Sequence, residues 1–182
     1  DQQYSDVTAW LAAGGEEKVI DYLCPQVYWG YGFTLQSGST RFAFENIVPA
    51  WLSYPRAGDV ALYFGLGAYR VGTGDGGANP DSVSGWSTGS ALAAQVKDLR
   101  QQAAGGWALY RYGSLFGPEA PALAEAECAA AGAEWVKTCA ETGGKPHKIN
   151  TGILCRAAKC GILTLYLPVG RDARKRKVSL FL

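Results

Sequence analysis

Methionine is absent from this 182-residue chain, and histidine occurs once, at His147. The five cysteines (Cys24, Cys128, Cys139, Cys155 and Cys160) have none of the spacings of a zinc site. With a single histidine to assist them they leave no metal and no cofactor to expect. Their odd number argues against a disulfide framework, and Cys24, inside an apolar run, reads as a small core residue. No apolar run approaches the ~18 residues that span a bilayer, and no signal peptide is visible, so membrane insertion is not expected. A start at Asp1 without methionine is what a piece of a longer protein would show, any targeting sequence being lost.

Net charge is also slight, at +1, but the sum hides a division. Residues 1–144 carry eight Lys/Arg against fifteen Asp/Glu, whereas residues 145–182 carry nine against Asp172 alone. Such asymmetry marks a boundary, and we divide the chain into 1–140 and a basic tail, 141–182. The cluster Ala173–Val178 would attract an anionic polymer. No aromatic interleaving or groove-reading motif accompanies it, so a solvated tail or sequence unrelated to the domain is the better reading and nucleic acid is not an expected partner.

What the chain has in plenty is apolar and aromatic side chains, 48% and 12% of residues, enough for the core of one domain. They are organised. Val19–Trp29, Val60–Arg70 and Gly106–Phe116 are each an apolar run that ends in aromatic and polar residues. Strands that are almost wholly apolar are buried on both faces, as in a parallel sheet covered by helices. Between them, Arg41–Leu52 and Leu92–Ala103 have helical periodicity, the first with Pro49 predicting a kink or late start, the second with Ser87 as its N-cap. Pro25 predicts a bulge near the end of the first strand. Tyr63, Gly65, Gly67 and Tyr69 share one parity of the second strand, its glycines allowing close approach of a neighbour or ligand, while Leu62, Phe64, Leu66 and Ala68 suit packing beneath helices. Pro118 and Glu119 open a last Ala-rich helix. The pattern is α/β: about three and a half β/α units with parallel strands.

In such sheets the ligand site lies at the carboxyl ends of the strands. Tyr28, Trp29, Tyr69 and Tyr112 are candidate platforms there, flat surfaces with a polar edge that suit the C–H faces of sugars. Gln26 offers a donor and an acceptor near the end of an apolar strand, where an unpaired amide would be costly. Arg70 and Arg111 suit a carboxylate, on a substrate or elsewhere in the protein. Glycoside hydrolysis needs two carboxyl groups about 5–10 Å apart. Asp75, within Gly-Thr-Gly-Asp-Gly-Gly, is the one carboxylate near the inferred site, as a weak catalytic candidate or as a turn residue. The same glycines lack the lysine of a phosphate-binding loop. Glu45 would either point to the site or sit solvated on a helix surface.

Taken in order, Ile20–Trp29 (IDYLCPQVYW), Leu62–Gly72 (LYFGLGAYRVG) and Gly106–Leu115 (GWALYRYGSL), with Gln95 between the second and third, resemble the glycosyl hydrolase-like 10, or family 10 glycosylhydrolase, family. The resemblance covers about residues 5–125. It implies the C-terminal part of a (β/α)₈ TIM barrel, from roughly the sixth strand onward, with the N-terminal half of the same barrel as missing partner. It further implies an extracytoplasmic or cell-envelope hydrolase whose substrate is a glycan, in one bacterial branch the peptidoglycan strand stripped of its peptides. The family's Asp-rich motif after the fourth strand is not in this chain. On that reading the chain alone is inactive and contributes the sugar-gripping side of the cleft; the alternative is a non-catalytic carbohydrate-binding protein built on a barrel remnant.

Overall fold

A computed structural model describes residues 2–102, 104–141 and 178–181. Helix α1 (Gln2–Ala12) leads to a strand in two pieces, β1 (Ile20–Cys24) and β2 (Gln26–Val27). Helix α2 (Phe44–Leu52), strand β3 (Ala61–Gly67), short helix α3 (Pro80–Gly85), helix α4 (Ala91–Gln101) and strand β4 (Gly106–Tyr110) follow. After them come α5 (Tyr112–Phe116), α6 (Ala124–Glu141) and β5 (Val178–Phe181).

All the strand pairings are parallel: β1 and β2 lie against one edge of β3, and β4 lies against its other edge. From β1/β2 through β3 to β4 the strands thus follow chain order, with helices as the crossovers that parallel pairing demands. Val178–Phe181, drawn from the basic tail, lies parallel to the outer edge of β1. The remainder of that tail, including Ile162–Val169 and the cluster at 173–177, lies outside the described residues.

The register corrects the expected bulge. Leu23 pairs with Leu62 and Gln26 with Gly65, so the offset is the same on both sides of Pro25 and no residue is inserted. Proline removes a donor and divides the strand, yet its carbonyl still accepts from the Gly65 N–H at 2.8 Å.

Burial corrects a second expectation. Leu62, Phe64, Leu66 and Ala68 are buried beneath helices with Phe44, Val48, Leu92, Val96 and Leu99. The other face carries Tyr22, Tyr63, Gly65 and Ala108, all only half-buried, and Gln26 is exposed. The sheet is therefore covered on one face, and the expected cost of a buried Gln26 amide does not arise. Tyr22 and Tyr63 meet edge to face on this open side, with ring centroids 5.6 Å apart.

The helices differ from expectation at their starts. Pro49 lies inside α2, which begins at Phe44. Asn79 caps α3 by accepting from the Asp81 N–H at 3.0 Å, with Pro80 in the first turn. Ser87 caps nothing in α4, which starts at Ala91. Its free N–H groups are met from another element: the Glu127 carboxylate of α6 accepts from Ala91 at 2.8 Å and from Leu92 at 3.0 Å. That contact and the Arg100–Glu134 ion pair, 3.2 Å, tie α4 to α6. Pro118 and Glu119 stand in a turn before α6, which begins at Ala124. No described helix is long and apolar enough to cross a membrane.

Candidate functional site

The carboxyl ends of β2, β3 and β4 bring three tyrosines together. Tyr28 and Tyr69 meet edge to face at 5.5 Å between centroids, Tyr28 stacks on Tyr110 at 5.6 Å, and Tyr69 meets Tyr110 at 6.1 Å. The close packing depends on Gly67. A Cβ there would stand 3.1 Å from the Tyr28 Cα and 3.2 Å from the Arg70 Cγ, so the missing side chain makes room for both. Gly67 thus serves close approach of a neighbouring strand, one of the two uses open to it on sequence alone, whereas a Cβ at Gly65 would meet only ordinary contacts at 3.5–3.7 Å.

The third member of the group is Tyr110, which the sequence does not single out. Strand β4 ends at Tyr110, and Tyr112 begins the short helix α5, its side chain lying outside the described residues. Tyr110 is 52% exposed, an unusual state for a strand aromatic and the signal that distinguishes it from core filler. Burial, and then the neighbouring Tyr110 and Tyr69, push the Tyr28 phenol up to about 12, so it stays a neutral O–H group at ordinary pH. No hydrogen bond joins the Tyr28, Tyr69 or Tyr110 hydroxyl to another described residue.

Trp29 belongs to a second aromatic group. It stacks on Phe42 at 4.7 Å and tilts against Phe33 at 5.8 Å, while the Arg41 guanidinium lies 4.5 Å above the Phe42 ring. The structure therefore divides the candidate platforms into a tyrosine cluster at the strand ends and a Trp29 cluster on the loop after β2.

That loop is held at successive residues. Gln95 Nε2 donates to the Trp29 carbonyl at 2.9 Å. The Gly30 N–H donates to Asp75 Oδ2 at 2.9 Å, and Gly30 O accepts from Phe33 and Phe44. Gly32 N–H donates to Glu45, at 3.0 Å to Oε1, and Gly32 O accepts from Asn79 Nδ2 at 2.9 Å. The Tyr31 hydroxyl donates to Asp98 at 2.7 Å, and burial first, then that bond, raises its pKa.

Asp75 is a fixed anchor of its loop, the turn residue that is one of its two readings on sequence. It is 4% exposed. Its Oδ2 accepts from Gly30 N–H at 2.9 Å, Ser82 Oγ at 2.5 Å and Trp86 Nε1 at 3.1 Å, and its Oδ1 accepts from Gly77 N–H at 3.1 Å. Burial alone would raise its pKa, but these bonds outweigh it and hold the carboxyl below the ordinary value of 3.8. Gly74 and Gly76, with φ of +79° and +74°, give the chain the left-handed turns that wrap it around the carboxylate. Glu45, exposed, likewise braces Gly32.

Arg70 lies half-buried with its Cζ 4.6 Å from the centre of the Tyr69 ring. It forms no ion pair among the described residues, and its buried Nε lacks a hydrogen-bond partner there. Arg111 is exposed just past β4, beside Tyr110 in sequence and with no ring contact to the cluster. Among the described residues no group of three His, Cys, Asp or Glu side chains could hold a metal.

Set against known proteins, 71 residues, 39% of the chain, are 31% identical to glycosyl hydrolase YngK of Bacillus subtilis (strain 168). The matched stretch spans 12% of that protein's length. No family model matches the chain, and no solved structure matches it. The likeness is thus to a small part of a glycosyl hydrolase, and the arrangement that accompanies it is a mixed α/β fold with a parallel sheet.

Proposed function

We propose that this chain is the glycan-gripping part of a (β/α)₈ barrel glycoside hydrolase, with the remaining strands supplied by sequence outside these 182 residues. The observation that carries the reading is the packing of Tyr28, Tyr69 and Tyr110 at the carboxyl ends of three parallel strands that lie side by side in chain order. Sequential parallel neighbours are what a barrel requires, and in a barrel that end carries the site. The half-buried face bearing Tyr22, Tyr63, Gly65 and Ala108 becomes the barrel interior on this reading. The local likeness to a glycosyl hydrolase supports the same class of substrate. Peptidoglycan glycan strands stripped of their peptides are the proposed polymer, and an extracytoplasmic or cell-envelope location goes with them.

Hydrolysis needs an acid and a second carboxylate on either side of the scissile bond. The carboxylates that touch the loop after β2 are all engaged in holding it: Glu45 on Gly32, Asp98 on Tyr31, Asp75 on four donors. The described residues therefore bind, and the acid belongs to another part of the protein. Calorimetry of the 182-residue chain with denuded glycan strands tests this. Binding without cleavage is expected, with Tyr28→Ala and Tyr69→Ala each weakening it about tenfold, the loss of one aromatic platform. Cleavage by this chain, abolished in Asp75→Asn, would refute the division of labour.

The engagement of those carboxylates also favours a second reading, a non-catalytic carbohydrate-binding protein. The two separate on an Asp or Glu at an earlier strand end of the full protein, present for the enzyme and absent for the binder.

A further inference from the structure

The tyrosine cluster is rich in donors and poor in acceptors. Arg70 brings five N–H groups on a guanidinium that stays charged at any ordinary pH, and the Tyr28, Tyr69 and Tyr110 phenols bring an O–H each. None of these groups is hydrogen-bonded to another described residue, and none of the described carboxylates pairs with Arg70. Arg70 is nevertheless well placed. Its stem passes the bare Gly67, its Cζ lies 4.6 Å from the Tyr69 ring centre, and its Nε is shut away from solvent. Stacking on an aromatic face orients a guanidinium while leaving its edge free for two parallel hydrogen bonds to a carboxylate.

We infer that Arg70 is an anionic subsite of the tyrosine platform, which selects a sugar bearing a carboxylate over its neutral counterpart. The inference rests on the glycan-binding reading and assigns recognition of the glycan's carboxylate to Arg70. The rings would hold the apolar face of the sugar while the guanidinium takes its carboxylate in bidentate fashion. The phenol hydroxyls would serve the ring oxygens, which are acceptors in excess.

The test uses the 182-residue chain and two preparations of the same polymer: denuded peptidoglycan strands, whose muramyl residues carry lactyl carboxylates, and those strands with the carboxylates amidated. A charge-assisted hydrogen-bonded pair corresponds to about 10–100-fold in affinity. Native strands are expected to bind tighter by that factor, and Arg70→Gln should abolish the difference, weakening binding of native strands by more than that of amidated strands. Arg70→Lys keeps the charge without the fork and should retain only part of the preference. The thermal midpoint of each variant reports whether the fold is intact.

Equal binding of native and amidated strands would overturn the inference and leave the glycan-binding reading standing, with Arg70 then serving a carboxylate within the protein. An Arg70→Gln loss that is the same for both polymers would also overturn it, as a structural effect. Binding of neither polymer would overturn both readings together.

Discussion

Asp75 shows how a side chain's partners decide its chemistry. Four donors converge on its two oxygens from Gly30, Gly77, Ser82 and Trp86. Asp75→Ala strands buried donors and is expected to cost on the order of 3 kcal/mol in chemical denaturation at neutral pH. Asp75→Asn, which puts donors where acceptors are needed, should cost nearly as much. The folded-state pKa lies below the unfolded value of 3.8, so this group's stabilisation is complete above that pH and is lost as pH falls through the lower, folded value. The Asn variant should therefore lose less stability than the parent between pH 4 and more acid conditions. Its glycine-rich surroundings point to a turn, and the bond to Gly77 is that turn; the donors from positions 30, 82 and 86 come from outside it, and no local pattern shows them. Tyr28 offers a spectroscopic check. One tyrosine should ionise near 12, by near-ultraviolet titration, and Tyr110→Phe should bring that value down in part, since burial is the larger cause and the neighbouring phenol the next.

Strands and helices show where local signals suffice. On β3 the alternation of Leu62, Phe64 and Leu66 with Tyr63, Gly65 and Gly67 forecasts which face is covered, because the side-chain period of a strand is two. The end of β4 is less legible: Trp107, Leu109, Tyr110 and Tyr112 leave the last strand residue open, so no local signal marks Tyr110 as a ring of the cluster. Gly67→Ala should cost about 1–3 kcal/mol, because the new methyl meets Tyr28 backbone that cannot yield as a side-chain tip would. It should also weaken glycan binding beyond its effect on stability. The start of α4 could not be read locally, since its N-terminal N–H groups are satisfied by Glu127, some thirty-five residues later. Glu127→Ala is expected to lower stability by about 2 kcal/mol, the result of two unsatisfied donors, one at least buried. Burial raises the Glu127 pKa above 4.5, against the pull of the two backbone N–H groups. Its contribution is complete below that pH and declines as pH rises through the folded value, opposite in sign to Asp75. In Glu127→Gln, stability should consequently fall less with rising pH above 4.5 than in the parent.

The assembled sheet has consequences that no single element has. Its β4 edge has no strand partner among the described residues, and one face is only half covered. Edges of this kind recruit further strands. Sedimentation of the 182-residue chain should show self-association that grows with concentration; a monodisperse monomer with cooperative unfolding would count against the barrel reading. The same open face explains why Gln26, expected on an apolar and buried strand, is exposed. Composition described the strand correctly, but coverage depends on what else is folded against it.

Alternation, periodicity and strand-end aromatics are local properties of the chain. They were enough to establish an α/β pattern, parallel strands in chain order, the inward face of β3 and the end of the sheet where aromatic rings gather. Backbone geometry imposes those periods within a few residues, so a linear reading captures them. The entry of Tyr110 into the tyrosine cluster, the separation of Trp29 from it, the anchoring of Asp75 and Glu127, and the stacking of Arg70 on Tyr69 all came from folding. Each depends on which distant groups compete for one donor, acceptor or ring face, and that competition exists only once the elements are packed in space.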